Sequence, residues 1–370
     1  MCIRDRRGVS SLAISADGSY LYAVGRNEDA LAVFARDRND GSLEFLEVHR
    51  HGIDGVFGLR FPSAVAVSPD GRHVYVVADV DDSLAVFNRE PPNGRLTFAA
   101  AYQDGIDDIS GLDGASGVAV TPNGRYVVVS GYNADSLVVF SRQATSDDLV
   151  MVDVEQNGLD GVELFGPTSV TVSPDSKHCY VPSVFDSSVA VFVQDPTRDG
   201  IEFAGVVLTD SMPRAVALDA SGANAYIAGG DWLRICRRNS ETGWLMADWL
   251  FVDDLHGADG LEGSAAVIVS PRGHSVFAAG REEHAVAEFW RDPSDGYLEL
   301  VDIQRDNEEG VDGLAYPTSF AMSRDARFLY VAGSGDDAIA IFDLPFEEFI
   351  SGDDFESGDL GAWTSTTGGM

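Results

Sequence analysis

Residues 62–98 read PSAVAVSPDGRHVYVVADVDDSLAVFNREPPNGRLTF, and this stretch decides how the chain folds. Val65 and Val67, Val74 and Val76, and Leu84 and Val86 alternate with small or polar residues, the period of a strand with two unlike faces. Between the first two runs Pro69-Asp70-Gly71 reverses the chain, because Pro presets φ and Gly accepts positive φ. An Asp-bearing turn precedes the third run, which ends at Phe87, and a Gly-containing turn leads to a fourth. Four short strands in a unit of about fifty residues match one blade of a β-propeller.

The unit recurs along the chain. Phe34, Phe87, Phe140, Phe192, Cys236, Phe289 and Phe342 end the third runs, at spacings of 53, 53, 52, 44, 53 and 53 residues. Five residues before each stands Asp29, Asp82, Asp135, Ser187, Asp231, His284 or Asp337. Each blade buries its faces against its neighbours, so seven copies predict an all-β, seven-bladed propeller of four-stranded antiparallel blades. The seventh copy ends after its third run. Its fourth strand is expected from chain upstream of Gly8 or, more weakly, from residues 346–350, and otherwise the last blade is incomplete.

The propeller is expected over residues 8–345. Residues 1–7 resemble the translated end of a sequencing-library adapter and are set aside. Residues 346–370 are rich in Gly, Ser, Thr and acid and read as a tail. Within it Asp354-Phe355-Glu356-Ser357-Gly358-Asp359-Leu360 with Trp363 resembles a short motif near the ends of many exported bacterial proteins. A secreted, periplasmic or cell-surface location follows as an expectation, with the signal peptide upstream of the sequence in hand. No run of eighteen apolar residues is present, so no transmembrane helix is expected.

Sixty acidic against 25 basic residues give a net charge of −35. This opposes binding to nucleic acid or anionic membranes, which require Lys and Arg, and it argues against a phosphorylated substrate. A small molecule, glycan or protein at the channel face of a monomer is the expected partner. Cys179 and Cys236 lie in different strands of different copies, and read as buried small apolar residues rather than a disulfide.

In a four-stranded blade the loop leading into the first strand and the turn between the second and third share one face. That face is expected to be acidic. Its inter-blade loops carry Gly-x-Asp motifs at Asp54, Asp107, Asp160, Asp259 and Asp312. Asp next to Gly is what a tight turn uses. The competing reading is that these carboxylates converge to hold Ca²⁺ or another divalent cation, which takes six to eight oxygens. Departures from a repeat are where function is grafted, so Arg26, Tyr132, Trp232 and Arg281 stand out. His284 beside Arg281, Glu282 and Glu283 is the least repetitive polar cluster, and His284, Glu283 and Arg281 are the candidate catalytic residues. Copy five is short and carries Trp232, Arg234, Trp244 and Trp249, residue types that anchor interfaces. No Gly-x-Ser-x-Gly, His-Glu-x-x-His, phosphate-binding loop or Cys-x-x-Cys occurs.

The phrases at residues 64–76 (AVAVSPDGRHVYV) and 83–87 (SLAVF) resemble the seven-bladed lactonase-like propellers. That family includes bacterial 6-phosphogluconolactonase, muconate-cycloisomerising enzymes and surface-layer YVTN-repeat proteins. The resemblance covers roughly residues 9–342 and implies the fold. A phosphogluconolactonase would imply a basic pocket for a sugar phosphate, from which an acidic face departs, so no catalytic residue is carried over. Two functions are therefore expected: an exported binding or scaffold propeller with an acidic face, or a lactonase-type hydrolase of an unphosphorylated lactone, metal-assisted or not.

Overall fold

A computed structural model describes residues 8–90, 93–143, 148–194, 199–255 and 258–344. Residues 1–7 and 346–370, with their expected scar and tail, lie outside the described residues. Blade 1 is β1 (Val9–Ile14), β2 (Tyr20–Gly25), β3 (Ala30–Arg36) and β4 (Leu43–Arg50), paired antiparallel in that order. Five further four-stranded sheets repeat it, and the seventh sheet has three strands among the described residues, Pro317–Met322, Phe328–Gly333 and Ala338–Asp343. The one described helix is a single 3₁₀ turn, Arg26–Glu28.

Burial follows the layering. Second strands such as His73–Ala78 are buried throughout, since both their faces meet neighbouring blades, and they accordingly read as continuous apolar runs. First strands are partly buried and line the channel, as Pro62–Val67 does. Fourth strands such as Leu96–Gln103 alternate towards solvent. Phe34, Phe87, Phe140, Phe192 and Phe289 are fully buried, each contributing about 1.5–3 kcal/mol. Cys236 fills the same place in blade 5 and is also fully buried.

The ring closes by packing. Val9, Leu12, Leu21 and Phe34 of blade 1 share one apolar cluster with Phe328, Tyr330, Ile339 and Ile341 of blade 7. Thr318 Oγ1 donates to the Val9 carbonyl (3.2 Å), and Tyr330 Oη donates to the Gly41 carbonyl (2.7 Å).

Neighbouring blades are also tied on the Pro-Asp-Gly side. The Arg ending a third strand reaches the preceding blade: Arg142 Nε donates to Tyr75 Oη (2.9 Å) and its Nη2 pairs with Asp70 (2.9 Å). Arg238 does the same with Tyr180 (2.8 Å) and Asp175 (2.8 Å), and Arg291 with Tyr226 and Asp219. Blade 7 has Leu344 where the Arg would stand, and blade 6 has Phe277 where the Tyr would stand; likewise blade 4 has Gln194 for the Arg and blade 3 has Val128 for the Tyr. Both halves of the tie are replaced together at each of those two interfaces.

Candidate active site at the channel mouth

A second set of ties spans the opposite face. In six blades the turn residue before the third strand accepts a backbone N–H from the loop leading into the next blade: Asp29 from Phe61 (2.9 Å), Asp82 from Gly114 (2.8 Å), Asp135 from Gly166 (2.8 Å) and Asp231 from Gly263 (3.2 Å) among them. Asp337 accepts from Gly8 (2.6 Å) across the ring closure. His284 holds this same place, its Nδ1 accepting from the Tyr316 N–H (3.0 Å) with the ring edge-on to Tyr316. Five of them, Asp29, Asp82, Asp135, His284 and Asp337, sit at positive φ, from 49° to 55°, where Asp, Asn and His are favoured among residues other than Gly.

The central channel opens into a cavity of about 660 Å³ lined by first-strand residues and by the first residue of several second-to-third turns. Its charged lining is Arg26, Asp79, Arg214 and Arg281, with the Tyr132 phenol beside them. In the repeat, Arg26, Asp79, Tyr132 and Arg281 are one position, directly after the second strand, which the remaining blades fill with Val184, Gly230 and Ser334. That position varies because it faces the cavity rather than a neighbouring blade.

A girdle of hydroxyls binds the inner strands to one another. Ser10 Oγ donates to the Pro62 carbonyl (2.8 Å), Ser63 to Ala115 (2.6 Å), Ser116 to Pro167 (2.7 Å) and Thr168 to Arg214 (2.9 Å). Blades 5 and 6 break it, with Arg214 and Ala265 in the hydroxyl position. Arg214 was not singled out by sequence reasoning. The signal was present, as a lone cation in a column otherwise made of Ser, Thr and Ala.

The two sides of the mouth differ in charge. Arg26 pairs with Asp79 and lies over the Phe61 ring, so this side is neutralised. Arg214 and Arg281 have no carboxylate partner among the described residues; Arg281 lies over the Tyr316 ring (5.6 Å) and its buried Nε lacks a hydrogen-bond partner. The expected acidic face thus encloses a mouth whose charged lining is mainly cationic.

Of the candidate catalytic residues, Arg281 lines the cavity, whereas His284 and Glu283 lie outside its lining. Glu283 is drawn instead into a carboxylate cluster with Asp253 and Asp259, where Arg305 pairs with Asp259 (2.7 Å) and Glu283 (3.4 Å). Asp312 meets Asp306 and Asp336 in an equivalent cluster. The five Gly-x-Asp motifs prove to be two structural positions. Asp54, Asp107 and Asp160 sit on an exposed left-handed turn with φ of 50°, 51° and 49°. Asp259 and Asp312 fall two residues before the buried Leu261 and Leu314, whereas Asp54 and Asp107 fall five before Leu59 and Leu112. Glu309, at φ 49°, takes the turn position in the loop of Asp312. In the Asp253 cluster Leu261 N–H already occupies Asp253 Oδ1 (2.8 Å), and Arg305 supplies the positive charge.

Blade 5 divides its four candidates. Trp232 is buried, its Nε1 donating to the Ser211 carbonyl (2.8 Å), and Arg234 pairs with Asp210. Trp244 and Trp249 are exposed, and Trp249 meets Tyr297 edge-on at 5.3 Å between ring centroids.

The two faces titrate in opposite senses. Burial, then the neighbouring Asp254 and Asp259, raise the Asp253 carboxyl above its ordinary 3.8. Burial and Asp253 raise Glu283 above 4.5, and burial with Asp113 and Asp104 raises Asp82. On the far face burial opposes ionisation of Asp17, Asp70 and Asp175, but hydrogen bonds from Ser15, Ser68 and Ser173 and from Arg89, Arg142 and Arg238 outweigh it and hold all three at about 2. A raised carboxyl takes up its proton in the folded state first, so folding gains as pH falls from 7 towards 4.5. A depressed one withholds its proton when folded, so stability is lost as pH falls from 3.8 through about 2. The thermal midpoint is therefore expected to peak near pH 4–5. A midpoint falling steadily between pH 7 and 5 would contradict this.

Comparison with known proteins places these features in context. The sequence model described as "Lactonase, 7-bladed beta-propeller" matches residues 2–105, 65–161 and 251–347. The structure is similar to the periplasmic gluconolactonase of Pseudomonas aeruginosa, at 23% identity and a TM-score of 0.70, covering 86% of this chain and 88% of that one. It is similar to a protein of Bacteroides uniformis provisionally described as a 6-phosphogluconolactonase, at 23% identity and a TM-score of 0.63, covering 80% and 87%. It is also similar to the hydrazine synthase of Kuenenia stuttgartiensis, at 18% identity and a TM-score of 0.68, covering 93% and 97%. At such identities the likeness establishes the ring and not its chemistry.

Proposed function

The chain belongs to the lactonase seven-bladed β-propeller family, and from that premise we propose that it hydrolyses a lactone at the mouth of its central channel. The observation that carries the reading is the pair Arg214 and Arg281, two guanidinium groups without carboxylate partners among the described residues, facing a cavity in a chain of net charge −35. Cations left uncompensated in so acidic a protein fit a reaction in which negative charge develops. Water adding to a lactone carbonyl creates an oxyanion, and fixed donors aimed at it are the largest contribution in many acyl transfers.

Asp79, held by Arg26, is the lining carboxylate available to take the proton from the attacking water. Collapse of the tetrahedral intermediate breaks the acyl C–O bond, and the ring oxygen leaves carrying the proton. The product is an open hydroxycarboxylate. The acidic surroundings favour its departure and disfavour a phosphorylated substrate. The gluconolactonase and phosphogluconolactonase named among the structural neighbours support lactone chemistry as the class.

The test is acid release from δ-valerolactone and δ-gluconolactone, followed at constant pH with the wild-type protein and with Arg281→Ala. Hydrolysis above background that depends on Arg281 is expected. No acceleration with any lactone would end the hydrolase reading.

The exposed Trp244 and Trp249 support a second role, a propeller that binds a glycan or protein along blade 5. Binding lost in Trp249→Ala, with hydrolysis absent, would favour it.

A further inference from the structure

We infer that the lactone taken at this mouth carries an apolar substituent, which lies on the Phe185 and Phe165 rings at the rim of blades 3 and 4; the inference rests on the hydrolase reading above. Tyr132 lines the cavity, the Phe185 ring lies 5.9 Å from it, and the Phe165 ring lies 4.9 Å from Phe185. The aromatic surface is thus continuous with the channel mouth. It is also open, Phe185 being 58% and Phe165 46% exposed.

Neither ring is required by the fold. The place of Phe185 is taken by Asn27, Val80, Asn133, Glu282 and Gly335 in other blades, and that of Phe165 by Arg60, Asp113, Glu262 and Ala315. Clustered apolar rings at a site where the repeat accepts polar residues leave apolar surface in water, which marks a binding surface.

The rings are held in place. Phe165 N–H donates to Ser183 Oγ (2.6 Å) and Asp186 Oδ2 (2.9 Å), and Phe185 N–H donates to the Phe165 carbonyl (3.2 Å). Gly166, at φ +67°, lies beneath the Phe185 ring, and a Cβ there would come within 2.5 Å of Phe185 Cδ2. Only glycine lets that ring lie down.

The mouth therefore has three sectors: cationic at blades 5 and 6, neutralised at blades 1 and 2, aromatic at blades 3 and 4. A lactone with its carbonyl towards Arg214 and Arg281 directs a ring substituent to the aromatic sector. An alkyl or aryl group loses water there without leaving a hydrogen bond unmade, whereas sugar hydroxyls would face ring carbons.

The experiment compares kcat/KM for δ-valerolactone, δ-decalactone and δ-gluconolactone, which share a ring size and differ in substituent. The wild-type protein is expected to prefer δ-decalactone to δ-valerolactone by about tenfold or more, as one extra apolar contact in a specificity pocket gives. Phe185→Ala should remove most of that ratio, Phe185→Tyr should keep it, and Phe165→Ser provides an independent second change on the same rim. A preference for δ-gluconolactone, or a decalactone-to-valerolactone ratio unmoved by both variants, overturns the inference while hydrolysis itself stands. Failure to hydrolyse all three lactones removes the hydrolase reading and this inference with it.

Discussion

Arg281→Ala is expected to lower kcat/KM for lactone hydrolysis by about a hundred- to a thousandfold, the usual loss when one donor to a developing oxyanion is removed. The reason lies in what Arg281 lacks. Its Nε is buried without a hydrogen-bond partner, and no carboxylate among the described residues neutralises it, so the fold leaves its charge available to a ligand. Arg214→Ala should act in the same direction, and the two together should cost less than the sum, because both address one oxyanion. Most of the loss should appear in kcat, with KM little changed, since the charge is greatest in the transition state. A loss confined to KM would make these arginines ground-state binders. His284→Ala is the informative contrast: it removes the tie to Tyr316 N–H and is expected to lower stability, not to abolish turnover.

The second large effect is on the fold. Arg291→Ala should destabilise the protein by about 3–5 kcal/mol, the usual cost of removing one partner of a buried ion pair. Arg291 and Asp219 are 6% and 3% exposed. The arginine also donates to the Tyr226 hydroxyl, the Gly273 carbonyl and Asn224 Oδ1, so its loss strands a buried carboxylate and several acceptors at once. The midpoint in urea should fall while the slope of the transition stays constant. Arg237→Ala is the control, because the Arg237–Asp248 pair is solvent-exposed, and little or no change is expected. Equal small effects from both variants would show that the tie between blades 5 and 6 is dispensable. Nature has dispensed with such a tie twice, between blades 6 and 7, where Phe277 and Leu344 replace both partners, and between blades 3 and 4, where Val128 and Gln194 do, rather than leaving one buried and alone.

These ties explain an asymmetry in what could be read from the chain. The Arg at the end of five third strands and the Tyr in five second strands are visible columns in the repeat, yet nothing local says that Arg291 meets Asp219, 72 residues away. The same holds for the Gly-x-Asp motifs. They look alike over four residues, but Asp54 sits on an exposed left-handed turn while Asp259 faces Glu283, because the buried leucine that follows each, and not the motif, sets the register. The expected acidic face was drawn from counting carboxylates. Many of them are occupied in accepting backbone N–H groups between blades, as Asp29, Asp82 and Asp135 are, which leaves the arginines as most of the charge lining the cavity itself.

By itself the sequence determined the blade, its repetition and the ring, since strand alternation and Pro-Asp-Gly turns act over a few residues and a period near fifty leaves few architectures. It also marked Arg26, Tyr132 and Arg281 as departures from the repeat. Only the tertiary structure decided that these converge with Asp79 and Arg214 on one cavity, that Glu283 and His284 do not line it, and that Trp232 is buried while Trp249 is exposed. The physical reason is ring closure: it brings residues from blades far apart in the chain to one axis, and no local pattern encodes which of them will meet there.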